Sequence, residues 1–188
     1  METFTFPQFS TDRSVVHTAL YTNISNAAAL RKRIIEAAVA EGEAGERERD
    51  AVNFAFIDAR LITSRLHLQT AIYQAILAES QKSLRTRTVH SEVIWALNPT
   101  NNITEALRRY GVSETTTSVI VVSIDGATTD MESKMGATVA GTLTGFSKLE
   151  DVTDWAAVAK YHKLNKLSDA SEVDKIVVST VAMKSVMS

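Results

Sequence analysis

The residue types that could do chemistry are sparse in this chain and poorly spaced for it. There are four histidines, His17, His67, His90 and His162, and no cysteine. No histidine stands at metal-ligand spacing from another histidine or a carboxylate on one helix face; His90 and Glu92, two apart, leave a helix on different sides. A zinc or di-metal centre is not expected, and each histidine reads as a surface residue or a satisfied core residue. A nucleophile would have to be Ser or Thr, yet G-x-S-x-G is absent. The phosphate-binding patterns G-x-x-x-x-G-K-S/T and G-x-G-x-x-G are absent too. Gly136-Ala-Thr-Val-Ala-Gly141 has a loop-like spacing, but no Lys follows it and no strong strand ends just before it. Asp58, Glu92 and Glu105 could act as an acid–base pair only if the fold gathers them. The expectation is a protein with no reaction of its own, no metal and no cofactor. The alternative is a small nucleotide-binding enzyme built on the Gly-rich stretch.

Charge is more informative. The whole chain carries a formal charge of −2, too little to imply a nucleic-acid or membrane partner by itself. Residues 82–109, however, hold Lys82, Arg85, Arg87, Arg108 and Arg109 against Glu92 and Glu105, a local excess of +3. A basic face on an otherwise acidic protein steers polyanions. Arg60 and Arg65 lie just upstream and are expected to join it. Trp95 and Tyr110 are either core residues or stacking surfaces for unstacked bases. The competing reading of Lys82–Arg87 is a solvated turn between helices.

These side chains need a scaffold, and composition supplies one. Apolar residues make up 45% and charged residues 22%, which is ordinary for a globular domain and unlike a disordered chain. The longest apolar runs are short, so none can span a bilayer, and the N-terminus lacks the basic and apolar regions of a signal peptide. Residues 3–9, 14–21, 52–57 and 117–124 read as strands, the first an edge strand because of Pro7. Helices are expected at 26–40, 64–79, 91–97, 102–110, 154–164 and 170–185. Asn26 or Ser25, Asn102 (with Glu105) and Thr153 are the expected caps, and Gly111 the expected left-handed residue after a helix. The almost wholly charged Glu41–Asp50 segment reads as an exposed loop insertion or a frayed helical extension. Residues 126–148 read as a second insertion. The expected fold is one α/β (α+β) domain, a small mixed or antiparallel sheet flanked by helices.

The last helix offers a core stripe of Val173, Ile176, Val177, Thr180 and Val181. Met183, Val186 and Met187 extend past it, and exposed apolar ends on a protein surface mark a partner site. Together with the 102–110 helix, represented by Ala106 and Tyr110, they form the candidate partner face.

An ordered set of segments carries a resemblance. Phe54-Ala-Phe-Ile-Asp-Ala-Arg-Leu-Ile62, Ala71-Ile-Tyr-Gln-Ala-Ile76 and Arg85-Thr-Arg-Thr88 are followed by Ser91-Glu92 and Leu97-Asn-Pro-Thr-Asn-Asn-Ile103. Glu105-Ala106 and Tyr110-Gly111-Val112 complete the set. It resembles the kinase-binding small subunit family of the KEOPS (EKC) complex, and its fungal members most. The likeness runs from the N-terminal strands to about Ile124 and resumes at Lys166–Ala170 and the last helix. The resemblance implies a non-catalytic subunit that binds and activates an atypical kinase-like ATPase subunit. It implies indirect contact with the other KEOPS subunits, and recruitment of tRNA, including its 3′ CCA end, for t6A modification. It also implies links to telomere maintenance and a place in cytoplasm and nucleus. Arg60, Arg65, Lys82, Arg85 and Arg87 are then the expected RNA-binding residues, and no membrane is involved. A protein scaffold without RNA contact remains a third reading.

Overall fold

In the computed structural model, residues 1–126, 130–167 and 169–187 are described, Met187 by its backbone alone. The chain runs β1 (Glu2–Thr5), β2 (Val15–Thr22), α1 (Ala27–Val39), α2 (Gly42–Ala51), β3 (Ala55–Asp58), α3 (Arg65–Ser80), α4 (Val89–Leu97) and α5 (Ile103–Tyr110). It continues with β4 (Val119–Ile124), α6 (Met131–Gly136), β5 (Thr142–Thr144), α7 (Leu149–Val152), α8 (Trp155–Tyr161), α9 (Ala170–Ala182) and α10 (Lys184–Met187).

The Val-Ile-Val-Val-Ser-Ile run of β4 is buried at all six positions because it lies inside the sheet with helices over both faces. The order is β1-β2-β4-β3, every pairing is antiparallel, and β5 shares with β1 the free edge of β2. The β2–β4 register sets Val16 opposite Ile124 and Tyr21 opposite Val119. Alternation then divides the strands between two cores. Ile120, Val122 and Ile124 join Val16, Leu20, Ala55 and Ile57 under α3, α4 and α9. Val119 and Val121 join Ala19, Tyr21 and Phe56 under α1 and α6. The α+β class is therefore as expected, and the mixed-sheet option is settled as antiparallel.

Helix positions follow the side chains that must be buried. α4 starts two residues earlier than expected, at Val89, because Thr88 and Ser91 form a reciprocal capping box. α4 is the central helix, and eight of its nine side chains are buried. Its first turn is bolted to the sheet: the Ile124 backbone N–H donates to His90 Nε2 at 3.0 Å, and His90 Nδ1 lies 3.0 Å from Asn53 Oδ1. α9 buries Val173, Val177 and Val181 and leaves Ile176 exposed, so its core stripe is narrower than the sequence pattern.

Several local expectations are corrected. Residues 42–51 are a helix, pinned to α1 by the Arg33–Glu48 ion pair and by Arg49 donating to the Ala37 and Ala40 carbonyls. Charge composition hides this because the bonds that hold the helix are made by long polar side chains. Residues 130–148 carry α6 and β5 and bury Met131, Met135, Val139 and Phe146 in the two cores. Residues 127–129 lie outside the described residues. Asn26 precedes α1 without capping it; its amide spans to Thr138 O and Ala140 N, both at 3.0 Å. Gly111 has φ −75°, not a left-handed value. A Cβ there would lie 2.4 Å from Leu107 O, so close approach explains the glycine. The cap of α8 is Asp154, while Thr153 donates to the Ile62 and Leu149 carbonyls. The last helix breaks at Met183 into α9 and α10.

Candidate nucleic-acid and partner interface

α3 stops at Ser80, and the chain reverses through Lys82, which takes a left-handed φ of 55°. Its N–H reaches Glu79 O at 2.9 Å, and the next N–H reaches Ala78 O at 2.8 Å. The connector to α4 is then held from beneath by one carboxylate. Glu92 is 1% exposed, and it accepts from the Arg85 N–H at 3.0 Å, the Thr86 N–H at 2.8 Å and the Thr86 hydroxyl at 2.7 Å. The acidic residue counted against this patch is thus occupied by the patch's own backbone. Lys82, Arg85 and Arg87 are exposed, and among the described residues none of them makes an ion pair.

Two expected members of the patch are elsewhere. Arg60 is clamped on Asp58, with nitrogen–oxygen distances of 2.9 and 2.6 Å, and Asp58 also accepts from Thr116 Oγ1. Arg65 pairs with Glu2 at 2.5 Å. Arg65 also opens α3 whereas Lys82 follows its end, a separation of about 24 Å at 1.5 Å per residue. Neither adds free charge to the connector. Glu105 is occupied by Arg109 at 2.7 Å and by Thr100. Asp58, Glu92 and Glu105 therefore have separate partners and are not gathered into an acid–base pair. The Gly136–Gly141 stretch is packed rather than cradle-shaped: a Cβ on Gly141 would meet Ile24 Cγ2 at 2.7 Å and Thr22 O at 3.0 Å.

Beside the connector, a groove of about 240 Å³ runs between α3, α4 and α10, lined by Gln74, Leu77, Ser83, Arg85, Trp95 and Lys184 among others. Gln74 donates to Ala182 O at 2.9 Å, while its own carbonyl oxygen is buried without a protein partner among the described residues. Trp95 is a core residue by burial, though it also contributes to the groove lining, and its ring N–H donates to Asn101 O at 3.3 Å. Sequence reasoning missed Gln74 and Lys184. Gln74 lies inside the Ala71–Ile76 segment that carries the resemblance, but that segment says nothing about what covers it.

Lys184 closes the groove's far end. It is 5% exposed, and its ammonium donates to Trp95 O and Thr100 O at 2.8 Å each and to Asn98 O. It also lies 4.2 Å from the centre of the Trp95 ring. Burial pushes this ammonium down to about 8, which leaves it mostly charged at neutral pH. The carbonyls belong to the end of α4 and the Asn98-Pro99-Thr100 corner, where a helix terminus leaves acceptors for a cation.

The partner face is also redrawn. Ala106 and Tyr110 are fully buried; the Tyr110 hydroxyl lies 3.0 Å from His162 Nε2, and burial pushes it up. They face inward because α5 is amphipathic; its solvent side carries Thr104 and Arg108 together with the apolar Ile103 and Leu107. Met183 and Val186 are 52% and 73% exposed, while the Met187 side chain lies outside the described residues. Lys184, seated on Thr100, ties the segment that carries these two side chains to the corner before α5. Among the described residues no group of three or more His, Asp or Glu side chains could hold a metal ion.

The sequence pattern of the family described as kinase binding protein CGI-121 matches residues 21–185. The chain belongs to this family. It is similar to the EKC/KEOPS complex subunit CGI121 of Cryptococcus neoformans var. neoformans serotype D, 33% identical with both chains covered in full. It is similar to the subunit of the same name from Aspergillus terreus, 34% identical over 82% of this chain and 77% of that protein. The Neurospora crassa subunit is 33% identical over 85% of this chain and 81% of its own. The match to the CGI-121 family spans every element from β3 to α9, and so includes the connector, the groove and the face of α5.

Proposed function

We propose that this protein is a non-catalytic accessory subunit of an EKC/KEOPS-type complex. It binds and activates the complex's atypical kinase-like ATPase subunit, meets the other subunits through it, and helps recruit tRNA, including the 3′ CCA end, for t6A modification. A cytoplasmic and nuclear place of action belongs to the same reading. One observation carries the RNA half: three exposed cations, without ion-pair partners among the described residues, stand on a backbone held by Glu92 beside a groove edged by Trp95. Exposed cations track phosphates, and a groove lined by polar and aromatic residues beside them suits the end of a single strand. The kinase half rests on family membership and on the exposed side chains of Ile103, Leu107, Met183 and Val186.

The RNA half is tested by replacing Lys82, Arg85 and Arg87 together with Ala. tRNA affinity should fall. The slope of log affinity against log salt should flatten by about 2–3, at about 0.7–0.9 for each phosphate no longer neutralised. Folding should be unaffected, since exposed charges contribute within about 0.5 kcal/mol. An unchanged slope would leave a protein scaffold without RNA contact as the better reading.

For the kinase half, deleting everything after Ala182 is a poor test, because it also removes the buried Lys184. The double variant Leu107→Asp/Met183→Asp keeps Lys184 and changes only exposed positions. Loss of two apolar anchors at about 1 kcal/mol or more each costs about 2 kcal/mol in total, so kinase-subunit association should weaken at least about thirtyfold with the melting temperature unmoved. Association at wild-type strength would place the kinase on another surface.

A further inference from the structure

The end of the chain joins two surfaces that the functional reading treats separately. On one side, Lys184 and Ser185 are part of the groove wall. On the other, Met183 and Val186 form an exposed apolar ridge on the same segment, which Lys184 ties to the corner before α5. These four residues are consecutive, and they follow the break in the helix after Ala182. What holds them is polar and specific: the Lys184 ammonium on the carbonyls of Trp95, Asn98 and Thr100, and Gln74 on the carbonyl of Ala182. An ammonium has three donors and no acceptor, so three carbonyls satisfy it completely. Asn98, itself fully buried, shapes the corner by donating to Thr100 Oγ1 at 2.8 Å and to Thr100 O at 3.1 Å. The role of the Asn98-Pro99-Thr100 turn is then to aim its carbonyls at a cation supplied from 84 residues further along the chain.

We propose that Lys184 is a positioning residue that pre-sets the C-terminal segment, so that one seated conformation serves both the RNA-end groove and the kinase-binding ridge. This deepens the reading above and rests on it. Unseated, residues 183–187 would lose the groove wall and the ridge together, because both are carried by the same short segment. A ligand that needs the seated form binds with an affinity reduced by the fraction seated. Two ligands that need the same form restore one another's affinity, and the effect is reciprocal.

The test uses the full-length Lys184→Met variant, with tRNA and the purified kinase-like subunit as probes. Affinity for each alone should fall by a similar factor, about tenfold if about one molecule in ten stays seated. Saturation with the kinase subunit should then return tRNA affinity to within about twofold of the wild-type complex. That return separates positioning from the two simpler roles. A Lys184 that only touched RNA would leave the tRNA defect intact in the complex, and a Lys184 that only touched the kinase would leave free tRNA binding unchanged. Either result, or a variant indistinguishable from wild type for both probes, overturns the proposal. Should Lys184→Met fail to fold, Lys184→Gln, which keeps two donors at shorter reach, carries the same comparison. A wild-type protein that binds no tRNA at any salt concentration fails at an earlier point: it removes the RNA reading and this coupling with it.

Discussion

Acidification from pH 7.5 to pH 5 should remove about 4–6 kcal/mol of folding stability, a large share of the roughly 5–15 kcal/mol typical of a domain. Three histidines held in the interior are responsible. Burial holds His67 at about 3, and His90 and His162 at about 4, against an ordinary value of 6.5. A folded-state value below the unfolded one means that the native protein binds fewer protons. The stability from keeping these rings neutral is complete above about pH 6.5 and is lost as pH falls from there toward about 4 for His90 and His162 and about 3 for His67. At pH 5 the unfolded chain has gained about 1.5 pH units of proton affinity over the native one at each site, worth about 2 kcal/mol per histidine. His162, the least buried of the three, contributes the smallest share. The geometry agrees for His90: its Nε2 accepts the Ile124 N–H at 3.0 Å, so a proton there breaks the bolt between α4 and β4. Denaturant titrations at pH 7.5, 6 and 5 measure this directly. Equal midpoints at all three would mean that the rings are not held neutral.

The second large effect runs against simple electrostatics. Glu92→Leu makes the protein less acidic by one charge, yet tRNA affinity should fall, by a factor approaching that of the triple Lys82/Arg85/Arg87 change. The reason is that Glu92 holds the connector and does not face solvent. Removing it leaves the N–H groups of Arg85 and Thr86 without their acceptor, while the Thr86 hydroxyl keeps the Thr88 carbonyl. Unsatisfied buried donors cost about 1–3 kcal/mol each, so the connector leaves this conformation and the cations lose their common placement. Overall stability should drop by about 2–4 kcal/mol, the cost of leaving two backbone N–H groups without an acceptor. Binding measured well below the new melting temperature separates the two losses. Tighter tRNA binding by the variant would show that net charge, rather than the held shape of residues 82–88, governs the interaction.

Both effects come from side chains whose surroundings are assembled by the fold, and this divides what could be read early from what could not. Local pattern was enough for β4, whose unbroken apolar run needs helices on both sides. It was enough for α5, where Asn102 accepts from the Glu105 N–H at 2.9 Å, and for the basic connector itself. The ordered segments from Phe54 to Val112 were enough for the family. These features depend on neighbours within a few residues, or on motifs kept whole. Which cations are free was not legible, because pairing is a tertiary matter: Arg65 meets Glu2 from the far end of the sheet's edge strand, and Arg60 takes the carboxylate that Thr116 helps to orient. Nor was the facing of α5, since Tyr110 goes inward only because His162 and the sheet are there to receive it. Lys184 is the extreme case. In the sequence it is a lone charge in an apolar tail, and only packing against the end of α4 supplies the carbonyls that hold a buried ammonium.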